Sequence, residues 1–283
     1  MKLPPILLAK RFVAGTELGS TFQVIKRLYE KGIKATLDHL GEDVTNIKKA
    51  KNATKIYINT LENIKKRNLD ANISIKLSQI GLSIKEKLAL MNLEKILERA
   101  KSLNLIVEID MEGSRYTKDT IEIFLTLAKK YPNSVLTIQS YLFRSKNDVL
   151  NIIKKKNKIR LVKGSYKEDE YISFSNKDDV NENYVKLMKL YLNKGGFIKI
   201  ATHDERIINL AKEYISKMKI RKDKYEFEML YGVRPSQQEK LASEGYNVRV
   251  YIPYGKEWFS YFYRRIRERK ENLFFVIKHL FKK

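Results

Sequence analysis

The chain has 283 residues, of which 43% are hydrophobic and 32% are charged, and its formal net charge is +24. This length and apolar content suffice for a large globular core, so the composition argues against a disordered protein. Cysteine is absent and only His39, His203 and His279 are present, so thiolate and multi-histidine metal sites are disfavoured and we expect any cofactor to be organic and held noncovalently.

Strand-like and helix-like segments alternate along the chain. Residues 1–33 are predicted to form a helical preface. Eight short runs of β-branched, aliphatic and aromatic residues follow: 34–40, 72–78, 106–112, 135–141, 159–165, 197–203, 225–231 and 248–254. The stretches between them place apolar residues three or four apart, as with Tyr57, Leu61 and Ile64, and 269–283 forms a further amphipathic segment.

Eightfold alternation of strand and helix is typical of a (β/α)8 barrel of about 250 residues. We therefore predict an α/β fold with a TIM-like barrel at 34–268, preceded by the helical preface at 1–33 and followed by an extra C-terminal helix at 269–283. No linker or second domain is apparent, so residues 1–283 are expected to form a single domain.

Polar side chains recur where the strand-like runs end. In a (β/α)8 barrel, the carboxyl ends of the strands carry the catalytic residues. Lys76 and Asp110 are the clearest cases, because each follows a run of strand formers and should project to the barrel mouth. The others are Asp38, His39, Ser78, Glu112, Gln139, Tyr141, Arg160, Lys163, Thr202, His203, Glu228 and Tyr251. Their repetition predicts a functional site at this end of the barrel.

A second polar pattern lies near the C terminus. On a helix, Tyr261, Arg264, Arg265 and Glu268 share one face. Two adjacent guanidinium groups suit a carboxylate ligand, because the planar fork of Arg donates two parallel hydrogen bonds. A solvated helix face has the same spacing. The polar strand ends favour the carboxylate-binding interpretation.

The positive net charge alone would suit a nucleic-acid-binding or scaffold protein. The Lys residues, however, are spread along nearly all predicted helices, and no zinc-finger, RNP-type or basic-zipper pattern is present. We therefore favour a generally basic surface and expect no nucleic-acid partner. Salt-dependent retention on nucleic acid without turnover would favour the alternative.

No stretch reaches the roughly 18 consecutive apolar residues of a membrane span, and residues 1–8 are too short an apolar run for a signal peptide. The sequence therefore indicates a cytoplasmic protein. The segment 269–283 combines apolar residues with Lys278, Lys282 and Lys283, which is compatible with contact at the inner face of a membrane. A helix packed on the barrel or on a second subunit has the same pattern, so oligomerisation stays open.

Several motifs, in this order, resemble the short, monofunctional proline dehydrogenase family of FAD-dependent enzymes. They are RFVAG at 11–15, TLDHLGE at 36–42, IKLS at 75–78, RLVKG at 160–164, ATH at 201–203, FEMLYG at 227–232 and the Arg264-Arg265 pair. None is specific alone, but the ordered set is. The resemblance implies a distorted barrel that binds FAD noncovalently, without the DNA-binding segment or aldehyde-oxidising domain of the large bifunctional relatives.

The resemblance also implies roles for individual residues. Lys76, Arg264 and Arg265 would hold the substrate carboxylate, Asp110 would set the polar network around Lys76, and Glu268 would pair with the two arginines. The substrate ring would lie against Tyr166, Leu230, Tyr251 and Tyr261. The flavin would be held by Gln139, Arg160, Val162, Lys163, Gly164, Thr202 and His203.

The implied reaction is oxidation of L-proline to Δ1-pyrroline-5-carboxylate by hydride transfer from proline C5 to flavin N5, with a quinone or other electron acceptor as the next partner. Three residues depart from the family pattern: Ser165 replaces a common Ala, Asp204 a common Asn, and Glu228 a common Gln. An aldolase using Lys76 or Lys163 as a Schiff-base nucleophile is the competing enzyme hypothesis. It leaves the Arg264-Arg265 pair unexplained.

Overall fold

The computed structural model describes residues 12–258 and contains a closed barrel of eight parallel strands, in which the last strand pairs with the first. The strands are β1 (Lys34–His39), β2 (Ala71–Ile75), β3 (Val107–Ile109), β4 (Ser134–Gln139), β5 (Lys158–Val162), β6 (Ile198–Ala201), β7 (Tyr225–Leu230) and β8 (Val248–Tyr254). The predicted barrel is confirmed, and each predicted run overlaps one strand.

Helices connect successive strands. The α-helices in the described part of the chain are α1 (Leu18–Tyr29), α2 (Ile47–Lys66), α3 (Glu86–Ser102), α4 (Ser114–Ala128), α5 (Ser145–Lys154), α6 (Lys177–Asn193), α7 (Glu205–Lys217) and α8 (Pro235–Ser243), with a 3₁₀ turn at Lys222–Lys224. Polar caps set several helix starts: Asn46 accepts hydrogen bonds from the N–H groups of Lys48 and Lys49, and Asp204 accepts one from Arg206.

The predicted end segments are described only in part. Helix α1 lies within the predicted preface at 1–33 and packs against β1 and β8, but residues 1–11 are outside the described range. The predicted terminal helix at 269–283 also lies outside it. No helix among residues 12–258 is long and apolar enough to cross a membrane.

The core of the protein lies between the barrel and its helices. Alternate strand residues point to opposite faces. One set is almost entirely apolar and buried, as with Val248, Val250 and Ile252 of β8, and joins the helix side chains in one hydrophobic cluster. The other set is polar. Because the apolar set covers the outside of the barrel, the polar set fills its interior.

Candidate active site

Charged and polar side chains from all parts of the barrel meet in its interior. Glu108 of β3 contacts Arg160 of β5, Lys199 of β6 and Thr36 of β1, and these strands are not neighbours of β3. Side chains of non-adjacent strands can make such contacts only inside the barrel. The interior residues that the sequence analysis did not predict are Thr36, Asn72, Ser74, Glu108, Thr137, Lys199, Glu226 and Arg249, and all are buried.

Asp38, Lys76, Asp110 and Arg160 form the mouth cluster. Lys76 directly follows β2, and its Nζ lies 2.8 Å from Asp110 Oδ2 and 3.2 Å from Asp38 Oδ1. Burial opposes the charge of Lys76, but Asp110 and Asp38 outweigh burial and raise the pKa of the ammonium well above its ordinary value. Lys76 is therefore a protonated donor at neutral pH.

Asp110 is the most heavily bonded carboxylate of the mouth cluster. It accepts hydrogen bonds from Lys76, from Ser74 Oγ at 2.5 Å, from Tyr251 Oη at 2.8 Å and from Arg160 Nη2. Burial works against its charge, but Lys76 and Arg160 prevail, so the pKa of Asp110 falls well below its ordinary value. Asp110 is therefore an anchor for neighbouring donors and a poor proton acceptor.

Arg160 links the mouth cluster to the deeper interior. Its Nε donates to Thr137 Oγ1 at 3.0 Å, and its Nη1 lies 3.0 Å from Glu108 Oε2 and 3.1 Å from Glu228 Oε1. The guanidinium carbon lies 5.0 Å from the ring centroid of Tyr251. This stacking and the hydrogen bond from Tyr251 Oη to Asp110 fix the aromatic ring of Tyr251 at the mouth.

The deeper interior is held by two further cations. Lys199 Nζ lies 2.5 Å from Glu108, 3.0 Å from Glu226 and 3.2 Å from Glu228. Arg249 Nε lies 2.7 Å from Glu226 Oε1. These residues and the mouth cluster make up the ion network, defined as Lys76, Arg160, Lys199 and Arg249 with Asp38, Glu108, Asp110, Glu226 and Glu228.

The other predicted site residues lie along the rim formed by β4 to β7. Lys163 Nζ lies 2.7 Å from Asp204 Oδ2. His203 Nε2 accepts a hydrogen bond of 2.7 Å from the Leu230 N–H, which connects a predicted flavin residue to a predicted substrate residue. Thr202 Oγ1 accepts from the Asp204 N–H at 3.1 Å. The rim residues are thus brought together, while their roles stay predictions.

Gln139 and Gly164 define a narrow part of this rim. The Nε2 of Gln139 donates to the carbonyls of Met111 and Glu112, while its Oε1 is buried and has no hydrogen-bond partner in the part of the chain that the structure describes. Gly164 adopts φ of +111°, and a Cβ there would overlap the ring of Tyr141. The last residue of β5, Val162, accepts from the Ser140 N–H at 2.8 Å.

The loop after β5 carries Tyr166 and is fastened to α4. Glu168 Oε1 accepts a hydrogen bond of 2.7 Å from the Ser114 N–H at the start of that helix, and Glu168 Oε2 pairs with Ser114 Oγ. Tyr166 is close enough to Lys76 to contribute to its electrostatic environment. The remaining predicted residues, Tyr261, Arg264, Arg265 and Glu268, lie outside the described part of the chain.

The environment of Lys76 argues against Schiff-base chemistry. A lysine nucleophile must be neutral, and such lysines have lowered pKa values. Asp110 and Asp38 shift the pKa of Lys76 in the opposite direction. No cluster of His, Asp and Glu suited to a metal ion occurs within residues 12–258. The arrangement instead suits directed donation to an anionic ligand at the barrel mouth.

Comparison with known proteins agrees with this geometry. The family model described as proline dehydrogenase matches residues 21–278. The chain is 40% identical over 275 residues to proline dehydrogenase 1 of Bacillus subtilis subsp. natto, covering 97% of this chain and 91% of that protein. It is 38% identical over 280 residues to proline dehydrogenase of Deinococcus radiodurans, with coverages of 97% and 90%.

The fold is also similar to a solved structure. The crystal structure of proline utilization A from Bdellovibrio bacteriovorus, inactivated by N-propargylglycine, matches with a TM-score of 0.85 and 24% sequence identity. The match covers 92% of this chain but 32% of that longer chain. At this identity the likeness establishes the barrel fold alone.

Proposed function

This chain belongs to the proline dehydrogenase family of oxidoreductases, and we propose that it oxidises L-proline to Δ1-pyrroline-5-carboxylate with noncovalently bound FAD. The observation that carries the proposal is the mouth cluster, which places a protonated Lys76 and an ionised Asp110 at the catalytic end of a barrel of this family. Electrons would then pass to a quinone or another acceptor.

The rim of β4 to β6 fits a flavin. A buried amide oxygen without a partner is costly, and among the described residues Gln139 Oε1 is such an atom, so a donor on a bound ligand would satisfy it. At Gly164 a side chain would overlap the ring of Tyr141, so glycine lets this part of the rim pack closely. The residues that would hold FAD are Gln139, Arg160, Val162, Lys163, Gly164, Thr202 and His203. When bound, FAD would supply the two-electron acceptor for the hydride of proline C5.

Lys76 would orient the substrate carboxylate. Its ammonium has three N–H donors, and within residues 12–258 Asp38 and Asp110 occupy two of them, which leaves one donor for a ligand. Arg264 and Arg265 would complete the binding of the carboxylate. Fixing the substrate in this way turns binding energy into a defined orientation of proline C5.

Tyr251 would restrict the shape of the substrate. Its hydroxyl is held by Asp110 and its ring by Arg160, so the ring cannot easily move away from a larger ligand. A hydroxyl on carbon 4 of the substrate ring would meet this side chain, and L-proline should be preferred over trans-4-hydroxy-L-proline.

The amine of proline must be neutral before it can release hydride. Asp110 is a poor base because its pKa is held below the ordinary range. We therefore assign the amine proton to water.

The decisive experiment is spectroscopic and kinetic. Purified protein reconstituted with FAD should show a flavin spectrum, release intact FAD on acid treatment and reduce a dye with proline. Arg160→Ala should lower flavin occupancy, whereas Lys31→Met, which removes an exposed cation, should not. A colourless protein that acts on no proline would overturn the proposal.

The arginine pair and Tyr251 allow a sharper test of the substrate site. Arg264→Lys and Arg265→Lys should each raise the KM for proline by roughly tenfold or more, because Lys cannot donate in a bidentate manner. Tyr251→Ser should narrow the kcat/KM ratio between proline and trans-4-hydroxy-L-proline. An unchanged ratio would show that Tyr251 does not border the substrate.

A further inference from the structure

Glu228 and Glu108 share the same two cations inside the barrel. Arg160 Nη1 lies 3.1 Å from Glu228 and 3.0 Å from Glu108, and Lys199 Nζ lies 3.2 Å from Glu228 and 2.5 Å from Glu108. Both carboxylates are buried. Two carboxylates that compete for the same donors in a buried site are not equally easy to keep ionised.

Among the described residues, the ion network contains one more carboxylate than it contains cations. Its cations are Lys76, Arg160, Lys199 and Arg249, and its carboxylates are Asp38, Glu108, Asp110, Glu226 and Glu228. A buried excess charge is expensive, and a single bound proton would remove it. The hydrogen bonds of each carboxylate show where that proton is best placed.

Glu228 is less well supported than the neighbouring carboxylates. Glu108 also accepts from Thr36 Oγ1 at 2.7 Å and from Asn72 Nδ2 at 2.8 Å. Glu226 receives two hydrogen bonds from the guanidinium of Arg249. Within residues 12–258, the side chain of Glu228 has only the two hydrogen bonds whose donors it shares with Glu108, and both are longer than 3.0 Å.

We infer that Glu228 is the proton-binding carboxylate of the ion network and that, acting through Arg160, its charge tunes the proposed flavin pocket. This inference rests on the proposed function, because Arg160 is assigned to the flavin there. Glu228 is a positioning residue in this scheme, since it contacts Arg160 and Lys199. Its proton exchanges with solvent and requires no further reactant.

The electrostatic surroundings agree with this geometry. Burial and Glu108 raise the pKa of Glu228 to about 7, against the effects of Lys199 and Arg160. Burial also opposes the charge of Glu108, but Lys199 and Arg160 lower its pKa to about 2. The other charged or titratable groups that act on Glu228 are Glu226 on the same strand, Arg249 on β8 and Tyr184 on α6. Glu228 thus changes charge near neutral pH, whereas Glu108 stays ionised.

The sign of the effect follows from the contact with Arg160. Ionised Glu228 offsets part of the positive charge of Arg160, so added negative charge in the pocket is less favourable. Neutral Glu228 leaves more of that charge for the pocket. The reduction potential of bound FAD should therefore fall more steeply with rising pH than it would without this carboxyl group.

The first test compares wild-type protein and Glu228→Gln, both loaded with FAD. Their potentials should agree at about pH 5.5, and at about pH 8.5 the wild type should favour oxidised FAD by about tenfold, or about 30 mV for a two-electron couple. Glu226→Gln is the matched control. It removes a carboxylate that is ionised at both pH values, so its reduction potential should differ from that of the wild type by the same amount at both. A difference between wild type and Glu228→Gln that does not vary with pH would overturn the inference.

The second test needs no cofactor. An infrared titration of the cofactor-free full chain should show the carbonyl band of a protonated carboxylic acid disappearing near neutral pH, and this change should be smaller in Glu228→Gln. Glu228→Met serves if the amide variant does not fold. Equal bands in wild type and variant would overturn the inference. A chain that binds no FAD but whose band is smaller in Glu228→Gln would instead contradict the proposed function alone.

Discussion

Replacing Lys76 by Met should reduce both the stability of the protein and its affinity for proline, for two different reasons. Asp38 is fully buried, and within residues 12–258 Lys76 is the cation with which it pairs, at 3.2 Å. Asp110 would keep its bonds to Arg160, Ser74 and Tyr251. The unpaired Asp38 should therefore account for most of the lost stability, and leaving one buried charge without its partner costs about 3–5 kcal/mol.

The same substitution should weaken substrate binding. A hydrogen bond to a charged group contributes about 1.5–3 kcal/mol. At about 1.4 kcal/mol per tenfold change, its loss should lower the affinity for proline by roughly 10- to 150-fold. The two losses are separable, because only the first depends on Asp38.

The double variant Lys76→Met with Asp38→Asn separates the loss of stability from the loss of affinity. A neutral Asn no longer needs a cation, so the free energy of unfolding in urea should recover by at least half of the loss in Lys76→Met. The affinity for proline, measured by titration of the FAD-loaded protein, should not recover. If affinity returns together with stability, Lys76 acts on the fold and does not bind the substrate carboxylate.

Three further outcomes follow from the structure. Lys199→Met should lower the free energy of unfolding by about 3–5 kcal/mol, against less than about 1 kcal/mol for Lys31→Met, and similar values from urea unfolding would contradict the structural role of the ion network. Gly164→Ala should lower both thermal stability and FAD occupancy. Gly195 also has a positive φ but lies beside open space, so Gly195→Ala should lower thermal stability only. Full FAD occupancy in Gly164→Ala would contradict the assignment of Gly164 to the flavin site. Burial opposes the charge of Glu226, but Arg249 and Lys199 lower its pKa to about 2 in the folded state. The ionised carboxylate should therefore contribute about 3 kcal/mol of stability above pH 4.5, and this contribution should be lost as the pH falls toward 2. In urea unfolding at low pH, Glu226→Gln should lose less stability than the wild type.

The barrel could be predicted from the sequence because its strands and helices carry separate periodicities. The run 248–254 coincides with β8, whereas the run 106–112 corresponds to a strand that covers only Val107–Ile109. The polar alternation in this second run continues through Asp110 and Glu112 after the ladder ends. Composition cannot distinguish a strand from such a continuation, since both place carboxylates on the same side.

The polar interior was harder to predict. The alternation of charged and apolar residues is visible in FIKIATH at 197–203 and YEFEMLY at 225–231, but only residues near the strand ends were assigned to the site. Parallel strands are usually apolar on both faces. Pairings such as Lys199 with Glu108 join residues 91 positions apart, so local spacing cannot identify them. The alternation of charged residues was therefore visible in the sequence, but the ion pairs that these residues form were not.

The charge of the mouth cluster limits what Lys76 can do for a substrate carboxylate. Asp38 and Asp110 balance Lys76 and Arg160, so the cluster attracts an anion little at a distance and instead offers one directed hydrogen bond. Long-range attraction must come from further cations, and we propose that Arg264 and Arg265, which the family resemblance assigns to the substrate carboxylate, supply it. Salt screens exposed charges much more than buried ones. Proline affinity should thus weaken with ionic strength to the same degree in wild type and Lys76→Met, but less in the variants with Arg264→Gln or Arg265→Gln. If Lys76→Met alone removed the salt dependence, the attraction would lie in the mouth cluster.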